Sequence, residues 1–342
     1  MALINLPRVS LGFFPTPLQE LPNLSRVLGG PRIWAKRDDL NGLGGGGNKT
    51  RNLEYILADV QKRGADFVLG SLGSQSNFNI LLASAAHKLG MNAGFVCYVG
   101  EHPQLQGNLL LHKILNSKIK ILKGDRTSGE YIQNVDRELQ RMSDELSRAG
   151  HKPAIVVDGD PHYDILGVIG WVSGTEELLQ QLQTKKINAQ YLVVPVATAN
   201  TLAGMTLGLK LLKSSMKIIG ISAHRKKDEA VAQLVHRANA AATFMGWNVR
   251  VVNDDATIYD EYIGAKHEVA TKECLEAIQL VAQTEGFYLD PVYTGKSMAG
   301  LIDLIRKNTF KPEENVIYVH TGGFPSIFTY NQEIINYCET NN

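Results

Sequence analysis

Lys49 ends a run crowded with glycine: Asn41-Gly42-Leu43-Gly44-Gly45-Gly46-Gly47-Asn48-Lys49-Thr50-Arg51. Glycine permits sharp turns and close approach of the backbone to a ligand. The residues that follow, Asn52-Leu53-Glu54-Tyr55-Ile56-Leu57, read as a helix, so Lys49 falls at or near a helix start. The helix dipole disfavours a cation there and helps lower its pKa. A lysine amine must lose its proton before it can act as a nucleophile or form a Schiff base. A phosphate-binding P-loop does not fit, because GxxxxGK[ST] needs a glycine where Asn48 precedes Lys49. A flexible loop ending in a solvated lysine remains the plainer reading of this segment alone.

Three more junctions each run from a strand through a polar turn into a helix. Gly70-Ser71-Leu72-Gly73-Ser74-Gln75-Ser76-Asn77 offers hydroxyls, amides and backbone N–H groups at a helix start, which suits a carboxylate; capping by Ser76 or Asn77 is the simpler use. Ala197-Thr198-Ala199-Asn200-Thr201 follows the strand 191–196, and successive N–H groups there could cradle a phosphate. Tyr318-Val319-His320-Thr321-Gly322-Gly323 delivers the neutral Thr321 hydroxyl to a turn, with His320 packed beneath. Together they offer a lysine nucleophile, a phosphate cradle, a carboxylate cradle and a neutral hydroxyl. Pyridoxal phosphate holding an amino acid requires those four groups.

The elements around these junctions define the fold class. Short Val- and Ile-rich strands are expected at 67–69, 94–99, 119–122, 154–157, 191–196, 217–222 and 316–320. Helical spacing links Tyr131, Ile132, Val135, Leu139, Met142 and Leu146, with Gly150 as the stop; a second helix runs through Leu275 and Ile278 to Gly286. This alternation implies an α/β architecture with mostly parallel sheets covered on both faces, whose ligands bind at the carboxyl ends of the strands. The length of 342 residues suggests about two domains, and Asp158-Gly159-Asp160-Pro161 is one place where the chain could cross between them. With 35 basic and 34 acidic residues the net charge is +1, so overall charge gives no case for nucleic acid or an anionic membrane. Three scattered cysteines, Cys97, Cys274 and Cys338, argue against a disulfide framework, and the N-terminus lacks the pattern of a signal peptide. A cytoplasmic protein is expected. No histidine pattern suggests a metal.

The order GGNKTRNLEY (46–55), Gln75-Ser76-Asn77, DPVYTGK (290–296) and His320-Thr321-Gly322-Gly323, with FPTPL (14–18) and KRDD (36–39) upstream, resembles the 1-aminocyclopropane-1-carboxylate deaminase/D-cysteine desulfhydrase family over nearly the whole chain. The resemblance implies the tryptophan-synthase-β-like pyridoxal-phosphate fold, fold type II, with two open, twisted, mostly parallel sheets flanked by helices. Residues 1–50 and 160–342 would form a large cofactor domain and 51–159 a small inserted one. Lys49 matches the Schiff-base lysine, and Asn77 a residue near the cofactor's 3-hydroxyl. Ser76 matches a nucleophile or carboxylate contact, and Gln75 joins it and Asn77 around the substrate carboxylate. Ala197, Thr198, Ala199, Asn200 and Thr201 match the phosphate loop, Thr321 the partner of the pyridine nitrogen, and Tyr293 an active-site tyrosine. A homodimer acting on a small amino acid is implied.

A hydroxyl beside the pyridine nitrogen leaves the ring a weaker electron sink than a carboxylate would, which suits expulsion of a Cβ substituent. Thr294 stands where the family's desulfhydrases have threonine and its ring-opening deaminases glutamate, tilting the expectation toward α,β-elimination to a 2-oxo acid and ammonia. Ring opening, β-replacement in a specialised pathway, and a non-catalytic binding protein are the alternatives. The chain departs from the family pattern at Phe78-Asn79-Ile80, at 160–164, and at His267, which aligns near a second family tyrosine. His267 and His162 are therefore candidate substrate or acid/base contacts.

Overall fold

The computed structural model of the chain describes residues 3–124 and 128–341. Its strands are β1 (Leu18–Glu20), β2 (Arg32–Arg37), β3 (Phe67–Gly73), β4 (Asn92–Tyr98), β5 (Lys118–Leu122), β6 (Pro153–Ile155), β7 (Tyr191–Val196), β8 (Lys217–Ser222), β9 (Ala256–Tyr259) and β10 (Asn315–His320). They form two sheets. The larger has the order β1-β2-β10-β7-β8-β9 and the smaller β5-β4-β3-β6. Among the described residues only β1 runs antiparallel, against β2; β7 pairs with β8 from Tyr191↔Lys217 to Val196↔Ser222. The central strands are buried on both faces, as parallel sheets flanked by helices require.

All strands of the smaller sheet lie between residues 67 and 155, inside the chain that builds the larger one. The helix Lys49–Lys62 packs against the helix Pro161–Lys185 on one side and Asn77–Lys88 on the other, so it bridges the two sheets' helical layers. One apolar cluster accordingly spans both, from Leu53 and Val68 through Trp171 to Leu202 and Ile317. Small residues let these helices meet closely: an added Cβ at Gly170 would lie 2.3 Å from the Arg51 carbonyl oxygen, and one at Gly204 2.4 Å from the Val168 carbonyl oxygen.

The expected strands are all present, with ends displaced by a few residues. Three strands were not visible in the sequence. Of these, β2 reads Arg-Ile-Trp-Ala-Lys-Arg, and its charge conceals a buried strand. Lys36 is fully buried because its ammonium donates to Thr16 O, Glu177 Oε1 and Gln181 Oε1. The expected helix through Tyr131 is Gly129–Arg148 and buries Tyr131, Leu139, Met142 and Leu146. Ile132 differs from expectation: it is 53% exposed and borders the cavity described below.

Candidate active site

The carboxyl ends of β3, β4, β7, β8 and β10 surround one cavity of about 580 Å³. Its position is the one that parallel α/β sheets reserve for ligands. The glycine-rich segment enters it by pressing its backbone against neighbours. Gly46 has φ +85°, and an added Cβ would sit 1.7 Å from the Asp39 carbonyl oxygen. Asn48 N donates to Thr321 O, which joins this segment to the turn after β10.

Lys49 is the first residue of the helix Lys49–Lys62 and is half-buried at the cavity. Among the described residues its ammonium has no hydrogen-bond or ion-pair partner. Burial lowers its pKa, opposed by the Asp158 and Asp164 carboxylates and aided by the Arg237 guanidinium. Those three form their own cluster: Arg237 Nη1 donates to Asp158 Oδ1 at 3.2 Å, Asp164 Oδ1 at 3.0 Å and Asn200 Oδ1 at 2.7 Å. The guanidinium therefore limits how strongly the carboxylates hold the Lys49 proton.

On one side of the cavity β7 ends in Ala197-Thr198-Ala199, and Ala199 takes φ +67° to start the helix Asn200–Leu211. No side chain among the described residues caps this helix, so its first-turn N–H groups keep their donor capacity. The Asn200 side chain is engaged by Arg237 and Asp164, and the Thr201 hydroxyl accepts from Asn48. What the segment 197–201 presents is mainly backbone, the arrangement that suits a phosphate.

After β3, in the smaller sheet, Ser76 caps the helix Asn77–Lys88 by accepting from Asn79 N at 3.2 Å, which leaves its O–H able to donate. Asn77 Oδ1 accepts from Asn108, so its NH₂ group keeps its donors. The Gln75 amide is spent on the loop backbone at Gln106 and Asn108; Gln75 reaches the cavity but its side chain is committed elsewhere. Buried Asn52 Oδ1 and Ser74 Oγ, both on residues lining the cavity, have no partner among the described residues. Such orphaned polar atoms, with the free lysine and the uncapped helix, fit a polar cofactor carrying phosphate and aldehyde groups.

Tyr293 and His267 form a further wall, with ring centroids 5.2 Å apart. Burial raises the Tyr293 pKa and keeps its hydroxyl protonated. His267 Nδ1 donates to Ala223 O at 2.7 Å, which leaves Nε2 as the acceptor, and burial lowers its pKa to about 4. Thr321 lies at the cavity, and His320 supports its turn by accepting from Gly322 N and donating from Nε2 to Tyr288 O.

Two expected residues lie elsewhere. Thr294 is fully buried and outside the cavity lining; its hydroxyl donates to Asp290 Oδ2 and accepts from Asp290 N. It stabilises the turn that places Tyr293, and its side chain does not reach the cavity. His162 is also outside the lining, with Nε2 3.2 Å from Asp59 Oδ2 and its ring against Phe244. Conversely, sequence reasoning overlooked Asp158, Asp164 and Arg237. The two aspartates stood in the quoted 158–164 segment, but only folding reveals their common partner 73 residues beyond Asp164.

The chain matches the pyridoxal-phosphate dependent enzyme family over residues 9–322 and belongs to it. It is an enzyme whose cofactor is pyridoxal phosphate. A crystal structure of an ACC deaminase homologue aligns with a TM-score of 0.85 and 34% identity over 97% of this chain and 96% of that one. The 1-aminocyclopropane-1-carboxylate deaminase of Burkholderia cenocepacia is 34% identical over 338 residues, 97% of this chain and 98% of the relative. The D-cysteine desulfhydrase of Klebsiella pneumoniae is 33% identical over 342 residues, 98% and 100% of the two. Within the class, the chain is a lyase or deaminase of the group these relatives define, with the expected type II fold.

Proposed function

We propose that the enzyme catalyses α,β-elimination on a small amino acid, as a D-cysteine desulfhydrase does, releasing a 2-oxo acid and ammonia. The observation that supports this best is the partnerless Lys49 amine between two helix starts, with Thr321 as the neutral group beside them. Lys49 would hold the cofactor, the backbone of Ala197, Thr198, Ala199, Asn200 and Thr201 its phosphate, Asn77 its 3-hydroxyl and Thr321 its ring nitrogen. Once bound, the cofactor supplies an electron-withdrawing ring that makes the substrate's Cα proton acidic. Lys49, whose proton is made easier to lose by burial, takes that proton. Ser76 and Asn77 hold the substrate carboxylate, with backbone N–H groups near Gln75 in support. Tyr293, whose hydroxyl burial holds protonated until the step, supplies a proton at the departing Cβ substituent. His267 faces the same space as a hydrogen-bond acceptor.

The same reading takes residues 51–159 as a small domain inserted between 1–50 and 160–342, with the cavity between them. It takes the enzyme to be a cytoplasmic homodimer with no nucleic-acid or membrane partner; Cys97 and Cys274 are buried free thiols, consistent with a reducing compartment. No helix among the described residues is long and apolar enough to cross a membrane.

Borohydride reduction of cofactor-saturated protein followed by peptide mapping is the direct test, and the label is expected on Lys49. D-Cysteine turnover with release of pyruvate, ammonia and sulfide is expected in wild type and absent in Lys49→Ala. Label on another lysine would refute the site. The matching similarity to the Burkholderia cenocepacia deaminase favours ring opening as the second reading; 2-oxobutyrate from 1-aminocyclopropane-1-carboxylate, with no turnover of D-cysteine, would establish it instead.

A further inference from the structure

Lys296 lies in the DPVYTGK segment yet none of the roles above uses it. Its side chain is fully buried in the helix Thr294–Arg306. The ammonium donates to three main-chain carbonyls, Ile263 O at 2.7 Å, Lys266 O at 3.0 Å and His267 O at 2.8 Å. Among the described residues no carboxylate stands within ion-pair distance. Three N–H donors meet three acceptors, which matches an ammonium; a neutral amine has only two hydrogens to give. Carbonyl oxygens gathered around one unpaired positive charge are also the ligand chemistry of a weakly hydrated monovalent cation. Gly264, between the first of these carbonyls and the other two, takes φ +74°, a backbone conformation that favours glycine.

What this segment supports lies at the cavity. His267 follows directly, its ring against Tyr293 and its Nδ1 bound to Ala223 O. Lys266 and Glu268 then meet the loop after β4: Lys266 Nζ lies 3.1 Å from Glu101 Oε1, and Glu268 Oε2 accepts from Glu101 N. Tyr293 lies immediately before the helix that carries Lys296. One buried charge thus joins the turn bearing Tyr293 to the turn bearing His267.

We propose that Lys296 is a positioning residue whose ammonium stands in for a monovalent cation in a three-carbonyl site, fixing the His267 segment against Tyr293. The kinetic arm of the test rests on the elimination reading; the thermal arm needs no substrate and stands if that reading fails. Lys296→Ala opens the site. The holoenzyme variant is expected to lose about tenfold to a hundredfold in kcat/KM, the effect of a slightly misplaced site. Potassium or ammonium chloride should restore activity and raise the melting temperature saturably, whereas tetramethylammonium chloride at equal ionic strength should do neither. Wild type should respond to none of them in this way. Lys296→Met, which fills the space without charge, should remain impaired in every salt. Wild-type kinetics in Lys296→Met, or a Lys296→Ala loss that potassium and ammonium both fail to reverse, would overturn the proposal. If both variants fail to fold, wild type labelled with ¹⁵N-lysine decides the matter. A slowly exchanging buried NH₃⁺ resonance at neutral pH supports the assignment, and a neutral-amine or solvent-exchanging Lys296 rejects it.

Discussion

Asn48 donates its side-chain amide to the Thr201 hydroxyl at 2.8 Å. The bond ties the residue before Lys49 to the first turn of the uncapped helix Asn200–Leu211, so the lysine amine and the helix's free N–H groups keep a fixed separation. A cofactor attached at one end and held by its phosphate at the other depends on that separation. Asn48→Ala removes a neutral hydrogen bond worth about 1 kcal/mol. Cofactor affinity is expected to fall about fivefold, with kcat at saturating cofactor nearly unchanged. Equilibrium titration of the stripped enzyme with pyridoxal phosphate measures this, and unaltered affinity would show that the bond does not set the spacing.

Arg51 anchors the other side of the same helix turn. Its guanidinium is buried and donates to both oxygens of Asp38, at 2.6 and 3.0 Å, and to both oxygens of Glu177, at 3.0 and 2.8 Å. Arg51→Met would leave Asp38 buried beside no cation of its own, while Lys36 still serves Glu177. A loss of about 3–5 kcal/mol in unfolding free energy is expected, because breaking a buried pair strands a charge. Denaturant midpoints with and without cofactor provide the readout; a loss under about 1 kcal/mol, the range of an exposed pair, would contradict it.

Tyr293→Phe separates chemistry from packing. The ring stays against His267 while the hydroxyl, which burial keeps protonated, is lost. If that hydroxyl delivers a proton to the departing group, kcat should fall by about 10²–10⁴ with the cofactor's visible absorbance preserved. A change confined to KM would make Tyr293 a binding residue only.

Thr294 carries the opposite expectation. Thr294→Val loses both hydroxyl bonds with Asp290 and strands the Asp290 N–H in the core, at a cost of about 1–3 kcal/mol. Because the side chain does not reach the cavity, the preference among amino-acid substrates should be unchanged. A switch in that preference, measured as a ratio of kcat/KM values, would place Thr294 in substrate recognition after all.

The contrast between Thr294 and Tyr293 shows where the sequence is legible. Junctions into helices announce themselves locally, through apolar runs that end in Gly, Ser, Thr and Asn or, before Lys49, through the glycine run itself, and so Lys49, Ser76, Ala199 and Thr321, all of which line the cavity, could be singled out from the sequence. The direction of a side chain within a turn is decided by its partners, and Asp290 takes Thr294 inward. The same holds for Lys36 and β2: a buried lysine looks like a surface residue until Glu177, 141 positions away, is brought to it. Arg237, Asp158 and Asp164 were hidden for the same reason, since their meaning depends on one another and the chain separates them.

Acid stability tests the buried histidines. His112 is 1% exposed beside Phe95, and burial lowers its pKa from 6.5 to about 4; burial does the same to His267, aided by nearby His224 and Lys296. Between those pH values the unfolded chain binds protons that the folded one refuses. Stability is therefore complete above about pH 6.5, falls as the pH drops through this window, and has lost the contribution by about pH 4. For His112 the full loss is about 3 kcal/mol. Glu177 acts lower on the scale: its arginine and lysine partners outweigh burial and lower its pKa to about 2, so its contribution, complete above 4.5, disappears only in stronger acid. His112→Gln replaces the imidazole with a group that does not titrate. Its unfolding free energy, measured from about pH 7 to about pH 4.5, should decline less steeply than that of wild type by nearly one proton's worth of slope. Parallel declines in the two proteins would mean that His112 accepts its proton without unfolding.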